Sequence, residues 1–178
     1  ENHLKYLGYF DSDVQSLIKI RRKKVKVTYT VTLGKQYRIE DMVLELPEKG
    51  EFKTDFLEDT SSISIRKGDF LSEAALEAET ERASRLMRSK GYYTFNKNHF
   101  FFEAETLGRP GSALLKMTVN EYTRNESALQ AQPIRKFYFN DVTISYPKSM
   151  NIRGKVLREL NTINPGDQYS PEIVNNTY

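Results

Sequence analysis

Two Gly-Asp pairs, Gly68-Asp69 and Gly166-Asp167, and two histidines, His3 and His99, are the residues here whose types could carry chemistry. An aspartate after a glycine can act as a general base or open a calcium loop. Neither stretch has the carboxylate spacing of an EF-hand. Each pair instead precedes a helix start, at Ser72 and Ser170, where a turn explains it better. His3 and His99 are far apart in a chain without cysteine and lack a local carboxylate constellation, so no metal site is expected. No phosphate-cradling glycine loop and no Ser/His/Asp arrangement is visible. The basic run from Arg21 to Lys24 could meet anionic headgroups or nucleic acid but reads as a solvated hairpin tip. No catalytic residue and no cofactor is therefore expected. What remains is backbone chemistry. An edge strand over His99, Phe100, Phe101, Phe102, Glu103, Ala104 and Glu105 would present unpaired N–H and C=O groups able to recruit an extended peptide.

That strand must be positioned by the elements around it. Ser72 is a good helix N-cap, with Leu71 and Leu76 at the positions of a hydrophobic staple. Leu76, Ala83, Leu86 and Met87 then form one apolar stripe. Gly91 follows a basic last turn (Arg85, Arg88, Lys90), where a left-handed residue is wanted. In the strand after it, Phe100, Phe102 and Ala104 point one way and His99, Phe101, Glu103 and Glu105 the other. A turn over 107–112 leads to a second strand in which Ala113, Leu115, Met117 and Val119 alternate with polar positions.

Composition sets the bounds. The 178 residues leave room for one or two domains, and 38% apolar content is enough for modest cores. A net charge of +3, with both signs interspersed, gives no polycation argument for nucleic acid. No run approaches the length of a membrane helix, and no signal peptide opens the chain. Glu1 in place of methionine and the end at Tyr178 suggest part of a longer chain.

Internal matches organise the whole. Tyr37 to Pro47 aligns with Phe137 to Pro147, and Ile65 to Ser72 with Ile163 to Ser170. Leu4 to Phe10 matches Met87 to Tyr93, and Val27, Tyr29 and Val31 match Leu115, Met117 and Val119. The repeating module begins with a strand over 36–46, whose inward phase changes near Asp41 and again near Asp141, as a bulge would cause. A short helix over 53–60, the Gly-Asp turn, the long helix and two hairpin strands follow. The expected fold is α+β: tandem β-α-α-β-β modules, each a three-stranded mixed sheet with two helices on one face. Residues 1–34 would be the tail of one module and 35–123 a complete one. A linker spans 124–133, and 134–178 the front of a third, with Pro171 at the first position of its helix.

The chain resembles the POTRA (polypeptide-transport-associated) repeats of BamA/TamA-family outer-membrane assembly proteins. The residues that carry this are Tyr37 to Asp41, Gly68 to Ser72, Glu79 to Arg82, Arg88 to Tyr93 and the strand closing at Val119. They recur as Phe137 to Asp141, Gly166 to Ser170 and Leu7 to Phe10. The structural motif residues are thus Gly8, Tyr9, Gly68, Asp69, Ser72, Gly91, Tyr92, Tyr93, Gly166, Asp167 and Ser170. The resemblance implies a non-enzymatic periplasmic module at the outer membrane, with a C-terminal β-barrel outside this sequence. It also implies binding of unfolded outer-membrane protein clients by strand addition, and scaffolding of accessory assembly subunits or lipoproteins, with no role for nucleic acid. A structural spacer repeat, or the POTRA arm of a two-partner secretion transporter, is the alternative.

Overall fold

The computed structural model describes residues 2–106, 108–109, 111–121, 133–145 and 153–176. The strands are β1 (Asp13–Arg21), β2 (Lys24–Thr32), β3 (Arg38–Glu45), β4 (Phe100–Thr106) and β5 (Ser112–Val119). The helices are α1 (Asn2–Tyr6), α2 (Phe52–Leu57), α3 (Glu73–Ser89), α4 (Gly154–Leu160) and α5 (Pro171–Asn176), with short 3-10 turns at Thr60–Ser62 and Lys97–His99. The chain gathers into two compact units. One comprises Glu1–Glu45, Ile63–Thr80 and Phe100–Thr118, the other Leu46–Ser62, Glu81–His99 and Val119–Tyr178. No helix among the described residues is long and apolar enough to cross a membrane.

The first unit holds a three-stranded mixed sheet of order β3-β5-β4, with β3 parallel to β5. This is the predicted arrangement. Ile39 pairs with Ala113 and Asp41 with Leu114, so Glu40 is the extra residue of a bulge where the apolar phase changes. On β5, Ala113, Leu115, Met117 and Val119 are buried while Leu114, Lys116 and Thr118 are only half-covered, which is the period-2 pattern read directly. The Gly-Asp turn is laced to β3. Gly68 N–H donates to the Ile39 carbonyl (2.7 Å), Ile39 N–H to the Asp69 carbonyl (2.9 Å), and Leu71 N–H to the Tyr37 carbonyl (2.8 Å). The Asp69 carboxylate accepts the Arg66 N–H (2.8 Å), so this aspartate is spoken for by its own turn. Ser72 Oγ then accepts the Ala75 N–H (3.2 Å) and starts α3. Further along, the fully buried Glu79 carboxylate accepts both the N–H and the hydroxyl of Ser64 (2.8 and 2.6 Å), a buried polar position within the helix's inward stripe.

Also in this unit, α1 ends as its sequence match predicts. Gly8 N–H donates to the Lys5 carbonyl and Tyr9 N–H to the Leu4 carbonyl, with Gly8 at φ 89°. A Cβ on Gly8 would come within 2.4 Å of the Leu71 carbonyl oxygen. The β1–β2 hairpin pairs without a break from Asp13–Thr32 to Arg21–Lys24. Arg22 and Lys23 turn it with φ of 45° and 66°, left-handed values that non-glycine residues seldom take. One face of this ribbon carries Val14, Ile18 and Ile20 opposite Val31, Val27 and Val25. All but Val14 of these are exposed, as is Tyr29.

In the second unit Phe52, buried at the start of α2, gathers the rings of Phe56, Tyr92 and Phe95 at centroid distances of 5.8, 5.2 and 5.0 Å. The C-terminus of α3 is closed by Gly91 N–H to the Arg88 carbonyl and Tyr92 N–H to the Met87 carbonyl, with Gly91 at φ 96°. Its carbonyl then accepts the Phe137 N–H (2.9 Å), and the Gln168 side chain lies 2.9 Å from where a Cβ would stand. Tyr93 packs its ring against Phe137 and Tyr169. The matched turn repeats the bonds of its counterpart: Gly166 to Phe139 (2.7 Å), Phe139 to Asp167 (2.9 Å) and Tyr169 to Phe137 (2.9 Å). Ser170 Oγ accepts the Glu172 N–H at the start of α5. Residues 133–145 make only a single bridge, Tyr138 to Gln168, and no ladder, because no strand among the described residues lies beside them. All of the predicted linker except Pro133 lies outside the described residues.

An ionic latch ties this segment to α2. Lys136 Nζ sits 2.8 Å from both Glu51 and Asp55, and Asp55 also accepts the Tyr92 hydroxyl at 2.7 Å. Burial alone would raise the Asp55 pKa, but the bonds from Lys136 and Tyr92 outweigh it and hold the value below its ordinary one. Lys136 is raised, first by its bond to Asp55 and then by that to Glu51. Tyr92 is raised, by burial and then by Asp55.

Gly91→Val should cost about 1 kcal/mol or more, because a β-branched residue resists positive φ. Gly8→Ala should cost at least as much, since a backbone oxygen blocks the new methyl. Thermal or urea unfolding checks both, and an unchanged midpoint for either would refute its assignment. For the latch, the depressed Asp55 contributes above the ordinary aspartate value of ~3.9 and is lost as pH falls through its folded value. The raised Lys136 contributes below ~10.4 and is lost as pH rises through its own. Lys136→Ala should lower stability by about 1 kcal/mol at neutral pH. Its melting-temperature gap from the parent should close below about pH 4. A gap independent of pH would show that the lysine acts through packing.

Candidate peptide-docking edge

In a sheet of order β3-β5-β4, β4 has one side to itself, and among the described residues no strand pairs with that side. Asn120 N–H donates to the His99 carbonyl (2.8 Å), and Lys116 of β5 reaches Glu103 of β4 at 3.7 Å. Both contacts fit one antiparallel register. Because main-chain groups alternate sides along a strand, the N–H and C=O groups of Phe101, Glu103 and Glu105 turn toward β5. Those of Phe100, Phe102, Ala104 and Thr106 turn outward. The outward row is a ready template for one more strand.

Side chains alternate on the other axis. Phe100 is buried and stacks nearly parallel with Phe102, at 6.4 Å between centroids. Phe101 is half-covered on the opposite face, with Glu103 and Glu105 exposed beside it. His99 departs from its predicted place. It closes the 3-10 turn one residue before β4, is buried against Phe95, and sets Nδ1 3.0 Å from the Asn120 carbonyl. The alternation put it on the face of Phe101, Glu103 and Glu105, whereas a turn residue outside the strand follows no such alternation.

A cavity of about 470 Å³ adjoins the edge, lined by Val43, Glu45, Glu103, Ala104, Glu105, Leu114 and Lys116. It opens on the face turned away from Ala113, Leu115 and Met117. Its floor is apolar and its rim carries three glutamates around one lysine. Lys116 bridges Glu45 (3.0 Å) and Glu103, and its pKa is raised chiefly by the bond to Glu45. Arg109 pairs with Glu40 at the bulge (3.0 Å).

The other residues singled out by sequence lie at joints away from this edge. Gly8, Tyr9, Gly91, Tyr92 and Tyr93 end helices, and Gly68, Asp69, Ser72, Gly166, Asp167 and Ser170 form the turns that begin them. Lys136, Asp55 and Gln168 are joint residues that sequence reasoning missed. Lys136 immediately precedes the repeat-matched Phe137, but a lone lysine beside a motif carries no periodic signal. Among the described residues no group of three His, Cys, Asp or Glu side chains could hold a metal ion.

No family model and no curated protein matches the chain. Solved structures do. The crystal structure of Haemophilus influenzae BamA POTRA3-5 matches at a TM-score of 0.53 and 13% identity, over 98% of this chain and 62% of that one. BamA from Haemophilus ducreyi lacking POTRA domains 1-3 is 18% identical over 68% of this chain and 21% of that one, at a TM-score of 0.45. The chain thus spans less than two thirds of either structure's length. At such identity the first likeness speaks for architecture, and it agrees with the mixed sheet, the helices and the hairpin described above: this chain has the POTRA fold seen in BamA.

Proposed function

We propose that this chain is a POTRA module of an outer-membrane protein assembly factor of the BamA/TamA type, working at the periplasmic face of the outer membrane without catalysing a reaction. Its task is to hold unfolded outer-membrane protein segments by strand addition to β4 and to scaffold accessory assembly subunits. The observation that carries this is the outward row of main-chain groups on Phe100, Phe102, Ala104 and Thr106. Backbone pairing reads little sequence, which suits clients that share only alternating strands. The groove lined by Glu103, Ala104 and Glu105 of β4, with Val43 and Leu114, adjoins this edge.

The module divisions belong to the same reading. Residues 1–34 act as the tail of one module, 35–123 as a whole one, 124–133 as the linker and 134–178 as the front of the next. The paired turn geometry at Gly68-Asp69 and Gly166-Asp167 supports this. So does the exposed apolar face of the β1–β2 hairpin, which matches β4–β5 but lacks the parallel strand that β5 has in β3. The alternative of a spacer draws on the Lys136 latch, a device for keeping segments in register.

The two readings separate in one experiment. Ala104→Pro removes an outward donor and leaves the β5 ladder intact. It should keep the parent's melting temperature and weaken binding of labelled outer-membrane strand peptides by about two- to tenfold, the worth of one hydrogen bond. Phe101→Pro should instead destabilise the fold, because its N–H faces β5. A folded Ala104→Pro protein with undiminished peptide affinity would overturn strand addition at β4 and leave the spacer reading.

A further inference from the structure

A second groove lies in the other unit. It has a volume of about 360 Å³ and is lined by Glu81, Ser84, Arg85 and Arg88 of α3 with Asn96 and Lys97 of the loop beyond it. Three of these six residues are cations. Arg85 is exposed and has no hydrogen-bond or ion-pair partner among the described residues. Arg88 is half-buried, and among the described residues its guanidinium makes one long bond, Nε–H to the Ser84 carbonyl at 3.4 Å. The fork of the guanidinium is thus left largely for something else. Asn96 is fixed by its own turn, donating to the Thr94 carbonyl and accepting the Asn98 N–H (both 2.9 Å), which positions Lys97 at the rim.

Ser84 supplies an independent sign. It is 4% exposed, yet its hydroxyl has no hydrogen-bond partner. Buried hydroxyls are nearly always satisfied, and one in a helix commonly bonds back to the preceding turn. Two guanidinium groups and an unsatisfied hydroxyl at one groove are the donor set of an oxyanion site, because the planar arginine fork matches two oxygens of a phosphate.

We propose that this groove binds a phosphate group, either that of a soluble phosphoester or that of an anionic lipid headgroup. The site is separate from the β4 edge and does not depend on strand addition. Glu81 opposes it electrostatically from the same rim, so its charge weakens binding.

Titration of the isotope-labelled protein with inorganic phosphate, followed by NMR at the backbone amides and arginine Nε–Hε groups, tests this. Saturable shifts confined to 84–97 are expected. Arg85→Gln, at an exposed position, should keep the parent's melting curve and weaken binding about tenfold, and Glu81→Gln should tighten it about threefold. The second change is one that a merely structural role would not produce. Shifts that grow linearly across the whole basic surface, or variants that titrate like the parent, would overturn the site. Retention on phosphatidylglycerol vesicles over phosphatidylcholine ones, lost in Arg85→Gln, assigns the phosphate to a lipid. Saturation by phosphate without vesicle retention assigns it to a soluble phosphoester.

Discussion

A short exchange of main-chain hydrogen bonds governs this molecule. The glycine of a Gly-Asp turn donates to a strand residue, and the same strand residue donates back to the aspartate carbonyl. Gly68, Asp69 and Ile39 make that exchange in one place and Gly166, Asp167 and Phe139 in another, with distances that agree throughout. The turn needs a left-handed glycine, with φ of 94° and 91° at the two sites, and the aspartate side chain holds the turn's own N–H. Once made, the exchange determines where the long helix starts, because the serine cap follows at a set distance. It also anchors the first strand at its bulge. The sheet order, and hence the open side of β4, follows from that anchoring.

The aspartates that looked at first sight like candidates for catalysis are therefore backbone devices. Their carboxylates are committed to N–H groups three residues upstream. A buried hydroxyl without a hydrogen-bond partner is found elsewhere, at Ser84 of α3.

Local rules were legible wherever one residue answers one backbone requirement. Ser72 and Ser170 as caps, Gly8 and Gly91 after helix ends, and the phase change at Asp41 all read from sequence because caps, left-handed residues and bulges are chosen by near neighbours. The mixed sheet followed from connection lengths and the period-2 burial of β5. What sequence could not supply was pairing between distant charged groups. Lys136 with Asp55 and Ser64 with the buried Glu79 meet only after the chain has folded. His99 shows another limit: alternation counted it as a strand residue, whereas it closes the preceding turn, buried against Phe95, and the strand begins one residue later. Arg22 and Lys23 violate the usual preference for asparagine and glycine in a tight hairpin turn, so the loop's geometry was hidden behind its charge.

The parallel pairing of β3 with β5 carries a kinetic consequence. Arg38 must find Ser112, with both helices and β4 intervening, whereas β4 and β5 are joined by a short loop. Closing the long loop costs more entropy than closing the short one, so the β4–β5 hairpin is expected to form early and β3 to dock last. Until it does, the side of β5 that β3 will cover is vacant, and an intermediate with β3 undocked exposes an unpaired strand edge. The chain thus passes, during its own folding, through a state that itself needs protection.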